Sequence, residues 1–351
     1  MEYAFRLKAG YRKVINELRN LIEYNEIDGI LLLDQYEVLY TLGVKKSYNL
    51  LEINPVLLIT DKKSYLISDR FTFEELKGLN DIEYVLIDRN SFNDGLNFAE
   101  KLKEVILKER IKKIGVFEEI SFDWVKVIHL KNLFLHKFTL IDDERKERLK
   151  ECIEIGSSVY SSVKENLSKF QKEIELRNFI DELIYENGAE KRAYPTRIVS
   201  KKRTSNPYST TEGNVIEYPL IIDFGLLKGN IGIGISRTFF PDELRDLNEK
   251  IMKVREEILN YIKPGRICSK IYEHYLGIMK KIGFKDFIHH SLSKPLLPYS
   301  KGLYISPYSN EVIEPGYIFH LNIELYKPDD FGIKFIDVIE IRDKAFNLTD
   351  F

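Results

Sequence analysis

The chain has 351 residues, long enough for two domains, and its 44% hydrophobic and 31% charged content is that of a globular protein. A formal net charge of −2 excludes the strongly basic balance of a general nucleic-acid or anionic-membrane binder. Two cysteines, Cys152 and Cys268, exclude a disulfide framework and lack metal-ligand spacing, so a reducing, cytoplasmic setting is expected.

The first residues, MEYAFRLKAGYRKVINELRN, carry charge throughout and hold no apolar core of the signal-peptide kind. YRKVINELRNLIEYNE has helical spacing, with Val14, Leu18, Leu21 and Ile22 on one face. IDGILLLD is a short apolar run, as in a strand covered on both faces. NPVLLIT and KSYLISD read as strands separated by a DKK turn. FTFEELKGL reads as a helix, IEYVLID as a strand, GLNFAEKLKEVILKER as a helix and KKIGVFE as a strand. This alternation predicts an α/β domain over residues 1–140. No run approaches the roughly 18 apolar residues of a membrane span. Abundant Lys, Glu and Ile with few Met and Cys point to a thermophile, although an AT-rich genome accounts for the Ile and Lys equally well.

A long amphipathic helix is predicted from about residue 142, in IDDERKERLKECIEIGSSVYSSVKENLSKF, and its charged start sets the boundary of a second domain over 141–351. EIELRNFIDELIYENGAE is a second helix with Gly188 as its C-cap. Strands and turns follow from TRIVS to SRTFF. ELRDLNEKIMKVREEILNYI is a third helix, stopped by Lys263-Pro264-Gly265, and CSKIYEHYLGIMKKIG is a fourth, ended by Gly283. YIFHLNIELY and IKFIDVIEI are strands, which makes the second domain α+β with paired helices.

These segments carry a family resemblance. IDGILLL followed by LYTLGV, with Tyr40, Leu42 and Gly43, resembles the N-terminal domain of prolidases and creatinase. ERKERLKECIEIGSSVY, IVSKKRTSNPY, LIIDFGLLKG…SRTFF, IKPGRICSKIYEHYLGIMKKIGF, IEPGYIFHLNIELY and GIKFIDVIEI resemble, in order and spacing, the pita-bread domain of prolidase, aminopeptidase P, methionine aminopeptidase and creatinase. The resemblance covers nearly the whole chain. It implies two divalent cations, Mn or Co, held by two Asp, one His and two Glu. Two adjacent dications need several carboxylates around them, and together they make a shared water into a hydroxide near neutral pH.

Matched position by position, this sequence keeps little of that set. Asp223 and Gly225 match the first aspartate and its glycine, but the second aspartate's position is Gly234. Ser236-Arg237-Thr238 follows as in the family, where it has structural as well as functional uses. Counting from Gly283 puts Lys294 at the histidine ligand and Lys301 at a second, substrate-contacting histidine. A register shifted by four makes His290 the ligand instead, with Leu297 at the second histidine. The first register needs no deletion. The two glutamate positions fall on Asn322 and Ile336, with Glu324 and Asp337 beside them, and Tyr208 stands where the family has another catalytic histidine. Glu324 or Asp337 substitutes only if its strand bulges or slips.

No metal cofactor is therefore expected, with Mn or Co as the alternative. The expected function is a non-catalytic, Xaa-Pro-dipeptidase-like binding or scaffold protein whose protein or peptide partner is unnamed. Relatives with degenerate sites, a histone chaperone and ribosome-associated factors, are precedents for such a role. One alternative is a peptidase with an altered or single-metal site on Asp223, His290, Glu324 and Asp337. Another is a metal-free hydrolase or small-ligand binder around Lys294 and Tyr208, with Lys301 and Arg237 as further pocket candidates. The basic run Arg197, Lys201, Lys202 and Arg203 borders the expected site mouth and reads as an anion- or partner-capturing loop, or as a solvated one. The resemblance to prolidases implies a homodimer.

Overall fold

In the computed structural model, residues 2–44, 55–76, 82–87, 96–131 and 133–351 are described, with the side chains of 2–12, 75, 96 and 97 left aside. The ends of four predicted elements (Asn54, Lys77 to Leu79, Asp88 and Gly95) lie outside these residues. The chain divides into two units, Met1–Leu133 and Phe134–Phe351. The division falls ahead of the predicted boundary because a short helix, α5 below, packs within the second unit: the Leu303 N–H donates to its Thr139 hydroxyl at 3.1 Å.

In the first unit, the described elements are α1 (Glu2–Tyr24), β1 (Gly29–Leu32), α2 (Gln35–Thr41), β2 (Val56–Thr60), β3 (Ser64–Ser68), α3 (Arg70–Leu76), β4 (Glu83–Leu86), α4 (Leu96–Lys108), β5 (Lys113–Val116) and β6 (Lys126–His129). Six strands form one mixed sheet in the order β4-β3-β2-β1-β5-β6. The apolar run of β1 is buried along its whole length, as a strand flanked on both edges and covered on both faces must be.

The second unit runs α5 (Phe134–Thr139), α6 (Asp143–Asn166), α7 (Glu173–Glu186), β7 (Lys191–Ser200), β8 (Leu220–Lys228), β9 (Ile231–Phe239), α8 (Arg245–Tyr261), α9 (Cys268–Lys281), β10 (Ser293–Lys294), β11 (Ile318–Lys327), β12 (Phe331–Ile341) and β13 (Ala345–Asn347). Asp142 caps α6 by accepting from the Arg145 N–H at 2.9 Å. Gly188, Gly265 and Gly283 each take a positive φ just past a helix, a backbone shape that favours glycine. The strands form a sheet in the order β10-β11-β12-β9-β8-β7, with β13 paired to β12.

Strand alternation gives this sheet two different faces. Leu321, Ile323 and Leu325 of β11 and Ile333, Phe335 and Ile339 of β12 pack with Val254 and Ile258 of α8 and Ile271, Tyr275 and Met279 of α9. Burial of each such side chain is worth roughly 1.5–3 kcal/mol. On β9 the same face meets α6, where Gly156 lets the helix approach so closely that a Cβ there would sit 2.5 Å from Ile235 Cδ1. The residues between these apolar positions point to the opposite face: His320, Asn322 and Glu324 on β11, Lys334 and Ile336 on β12, Gly234 and Ser236 on β9. Among the described residues, no helix is long and apolar enough to cross a membrane.

Candidate functional site

A cavity of about 300 Å³ opens on that second face, lined by Tyr194, Arg197, Asp223, Gly234, Lys294, Pro295, Leu297, His320, Asn322, Lys334 and Ile336. The register explains the grouping. Asn322 lies opposite Ile336, Ile336 opposite Ser236, Ser236 opposite Asp223, and Asp223 opposite Arg197, so five strands bring one residue each to the same level. Lys294 on β10 lies opposite His320 of β11. Asp223, Gly234, Lys294, Asn322 and Ile336 thus share one cavity wall.

Asp223 is buried and ion-paired. Its Oδ2 accepts from Lys334 Nζ at 2.5 Å, its Oδ1 accepts from the Tyr194 hydroxyl at 2.8 Å, and Arg197 Nη1 lies 3.7 Å from Oδ2. Lys334 is held in place by β9: its backbone N–H donates to the Thr238 hydroxyl at 2.8 Å, and that hydroxyl donates back to the Lys334 carbonyl at 3.1 Å. Burial, with Asp223 close by, raises the Tyr194 phenol well above its ordinary pKa, so it stays a neutral donor. The Tyr194 ring lies against both glycines of the site. A Cβ on Gly225 would sit 2.5 Å from Tyr194 Cε1, and one on Gly234 would sit 2.9 Å from the Tyr194 hydroxyl.

Glu324 is a second buried carboxylate of this face. His290 Nδ1 lies 3.0 Å from its Oε2, the Tyr326 hydroxyl donates to Oε2 at 3.1 Å, and Lys294 Nζ is 3.8 Å from Oε1. Burial alone would raise its pKa, but contact with His290 and the charges of Lys334 and Lys294 outweigh this and bring it down to about 2. His320 accepts at Nε2 from the Gly234 N–H at 2.9 Å and contacts the Pro295 carbonyl through Nδ1, also at 2.9 Å. These two bonds fix the neutral Nδ1–H tautomer. Burial lowers its pKa to about 4, more than the Pro295 carbonyl raises it. Asn322 is only 2% exposed, yet neither its Oδ1 nor its Nδ2 has a hydrogen-bond partner.

Several predicted residues lie elsewhere. Asp337 and Arg237 are on the helix-covered face, because each is adjacent along its strand to a residue of the cavity side. There Asp337 pairs with Arg237 Nη2 at 2.9 Å and with Arg255 Nε at 2.7 Å, so neither is a pocket group. Lys301 and Tyr208 do not line the cavity, and Tyr208 is 82% exposed. The basic loop is tied down within the chain. Lys201 pairs with Glu217 at 2.6 Å, Lys202 with Asp329 at 3.2 Å and Arg203 with buried Glu173 at 2.7 Å, which leaves Arg197 as the member that reaches the cavity. Lys334, His320 and Tyr194 were missed from the sequence. Lys334 and His320 sit two residues before Ile336 and Asn322, so strand parity was the available signal.

The residue-147–343 segment matches the sequence profile of metallopeptidase family M24. The chain belongs to that family. Among its relatives, an Xaa-Pro dipeptidase from Pyrococcus horikoshii is 22% identical over 350 residues, covering 93% of this chain and 95% of the relative. A recombinant prolidase from Thermococcus sibiricus superposes with a TM-score of 0.83 at 19% identity, covering 97% of each chain. The N-terminal domain of the FACT complex subunit SPT16 from chickpea does so with a TM-score of 0.75 at 15% identity, covering 99% of this chain and 96% of that one. The fold is therefore pita-bread, preceded by a prolidase-type α/β domain.

M24 chemistry implies a pair of divalent cations, and the donor set here does not fit one. Asp223 is the one carboxylate lining the cavity, and its lone pairs are engaged by an ammonium and a phenol. The facing positions offer a glycine, a carboxamide and an isoleucine, and the imidazole of His320 has both nitrogens engaged. Among the described residues, no three His, Cys, Asp or Glu side chains converge as a metal site would require.

Proposed function

We propose that this M24 member is a binding protein built on a peptidase fold and does not hydrolyse Xaa-Pro peptides. The observation that carries this reading is the Lys334 ammonium seated 2.5 Å from Asp223 Oδ2. It neutralises the carboxylate internally, as a metal ion otherwise would. A dication about 4 Å from an ammonium is repelled by roughly 8 kcal/mol at an effective dielectric of about 20. The donor set does not support a hydroxide-generating metal pair, and exposed Tyr208 stands where the family's other catalytic histidine would be, which together support a non-hydrolytic role. What it keeps is a concave, charged pocket. The fold is also that of an SPT16 domain, whose name describes a subunit of a complex.

The test is calorimetric titration of stripped protein with Mn²⁺ and Co²⁺ separately, beside an assay for cleavage of Met-Pro and Ala-Pro. No stoichiometric binding at about millimolar metal and no cleavage are expected. Two tight sites, or one accompanied by cleavage, would overturn the reading. A homodimer, inferred from the prolidase resemblance, is checked by sedimentation in the same buffer.

A further inference from the structure

The cavity carries a charge excess and an unsatisfied amide, and the two together define a ligand. Three cations, Arg197, Lys294 and Lys334, serve this face, against two carboxylates, Asp223 and Glu324. His320 adds no charge, since protonation at Nε2 would break its bond from the Gly234 N–H. Counting lysine, arginine and carboxylate charges, and leaving out the imidazole of His290 that stands 3.0 Å from Glu324 Oε2, one positive charge is left over beside a partly apolar wall of Pro295, Leu297 and Ile336. The surplus sits on Arg197 and Lys294. The Arg197 guanidinium gives Nε to the Ser209 carbonyl at 2.9 Å and stands 3.7 Å from Asp223, while Lys294 Nζ stands 3.8 Å from Glu324. Lys334 is already in close contact with Asp223. Asn322 adds a buried donor and a buried acceptor with nothing to bond, a condition that is unfavourable until a partner arrives.

We propose that the cavity binds a small, amine-free organic monocarboxylate, with its charge held by Arg197 and Lys294, its apolar body on Leu297, Pro295 and Ile336, and one hydroxyl or similar group on Asn322. This rests on the reading that the chain binds rather than hydrolyses. A monoanion cancels the surplus charge, whereas a phosphate dianion reverses it and a zwitterion leaves it in place while setting an ammonium beside Lys334 and Arg197. Arginine's planar fork suits a carboxylate. The cavity's volume, about 300 Å³, is at the small end of the range for ligand pockets and admits a molecule of a few carbon atoms.

The experiment titrates the full chain with three probes of nearly equal shape: 2-hydroxy-3-methylbutanoate, its primary amide, and valine. The acid is expected to bind with a dissociation constant of about 1 mM or tighter, and the amide and valine at least about 10-fold more weakly. Lys294→Met changes a side chain that is 42% exposed and so folds normally; it should weaken acid binding about 5- to 10-fold. Asn322→Leu should erase the preference for the hydroxy acid over 3-methylbutanoate. No acid binding up to about 20 mM, amide or valine binding as well as the acid, or a Lys294→Met protein that binds unchanged would each overturn the proposal. Manganese titrations on the same samples separate the two failures. Absent acid binding with absent metal binding sinks the ligand and leaves the non-hydrolytic reading, whereas two bound metals with dipeptide cleavage sink that reading itself.

Discussion

The two faces of the second unit's sheet each bury an aspartate against cations, and they do so to different ends. On the helix-covered face, Asp337 meets Arg237 and Arg255, and Arg237 also donates to the carbonyls of Ile336 and Thr349 at 2.7 and 2.6 Å. That cluster ties β9, β12, α8 and the last residues together. On the cavity face, Asp223 meets Lys334, but around the pair remain an unbonded carboxamide, a spare guanidinium edge and a half-exposed lysine. The first is a joint and the second is a socket. Burial of an ion pair alone does not tell them apart; the satisfaction of its neighbours does.

The comparison breaks most severely at Asp337. Asp337→Ala strands two arginines inside the protein and should cost about 3–5 kcal/mol in urea melts. Asp223→Ala strands Lys334, with Arg197 more distant at 3.7 Å, and should cost about 3 kcal/mol, but Asp223→Asn combined with Lys334→Met should recover most of that loss, because the close pair is removed together. No single second change should rescue Asp337→Ala. If both faces are rescued alike, the distinction between joint and socket fails.

Acid should probe the cavity face selectively. The folded pKa of His320, about 4, lies below its ordinary 6.5, so the folded chain binds fewer protons than the unfolded chain between those values. Its contribution is present above pH 6.5 and is lost as pH falls through that window, by about 3 kcal/mol in all. Glu324, with a folded pKa of about 2 against an ordinary 4.5, adds stability that is present above pH 4.5 and lost between there and pH 2. Stability–pH curves of the parent and His320→Gln should therefore diverge below pH 6.5; parallel curves would remove His320 from the account. A smaller effect is expected at Gly234. Gly234→Ala should cost about 1–3 kcal/mol through its contact with the Tyr194 hydroxyl, and less in a Tyr194→Phe background. Equal costs in both backgrounds would show that the ring does not set the space. Least of all, Lys201→Ala in the exposed loop should stay within about 0.5 kcal/mol.

Much of the fold was legible because its signals are local. Apolar periodicity placed the long helices, and Gly188, Gly265 and Gly283 marked where three of them stop. Asp223, Gly234, Asn322 and Ile336 were found as one group because a family spacing numbered them in advance. Lys334 and His320 carry no such number. They are polar residues inside apolar strands, KFID and IFHLN, and only the parity of the strand says which way they point. Tyr194 was hidden for a different reason. It lies on β7 between two irregularities in the pairing with β8, after Arg192 and before Arg197, and a bulge shifts facing in a way that composition does not encode. The ion pairs of the loop lysines and Arg203 were not legible because their carboxylate partners, Glu217, Asp329 and Glu173, are distant in sequence.

Tyr194 also bears on what position 234 can hold. Its hydroxyl occupies space that a side chain at position 234 would need, and its ring covers Gly225 as well. An aspartate introduced at 234 would meet that hydroxyl before it met any ion, and Lys334 would still sit on Asp223. A carboxylate at 234 is therefore unfavourable while Tyr194 and Lys334 stay in place. Tyr194 and Lys334 would both have to change before an aspartate at 234 and Asp223 could offer a cation two free carboxylates.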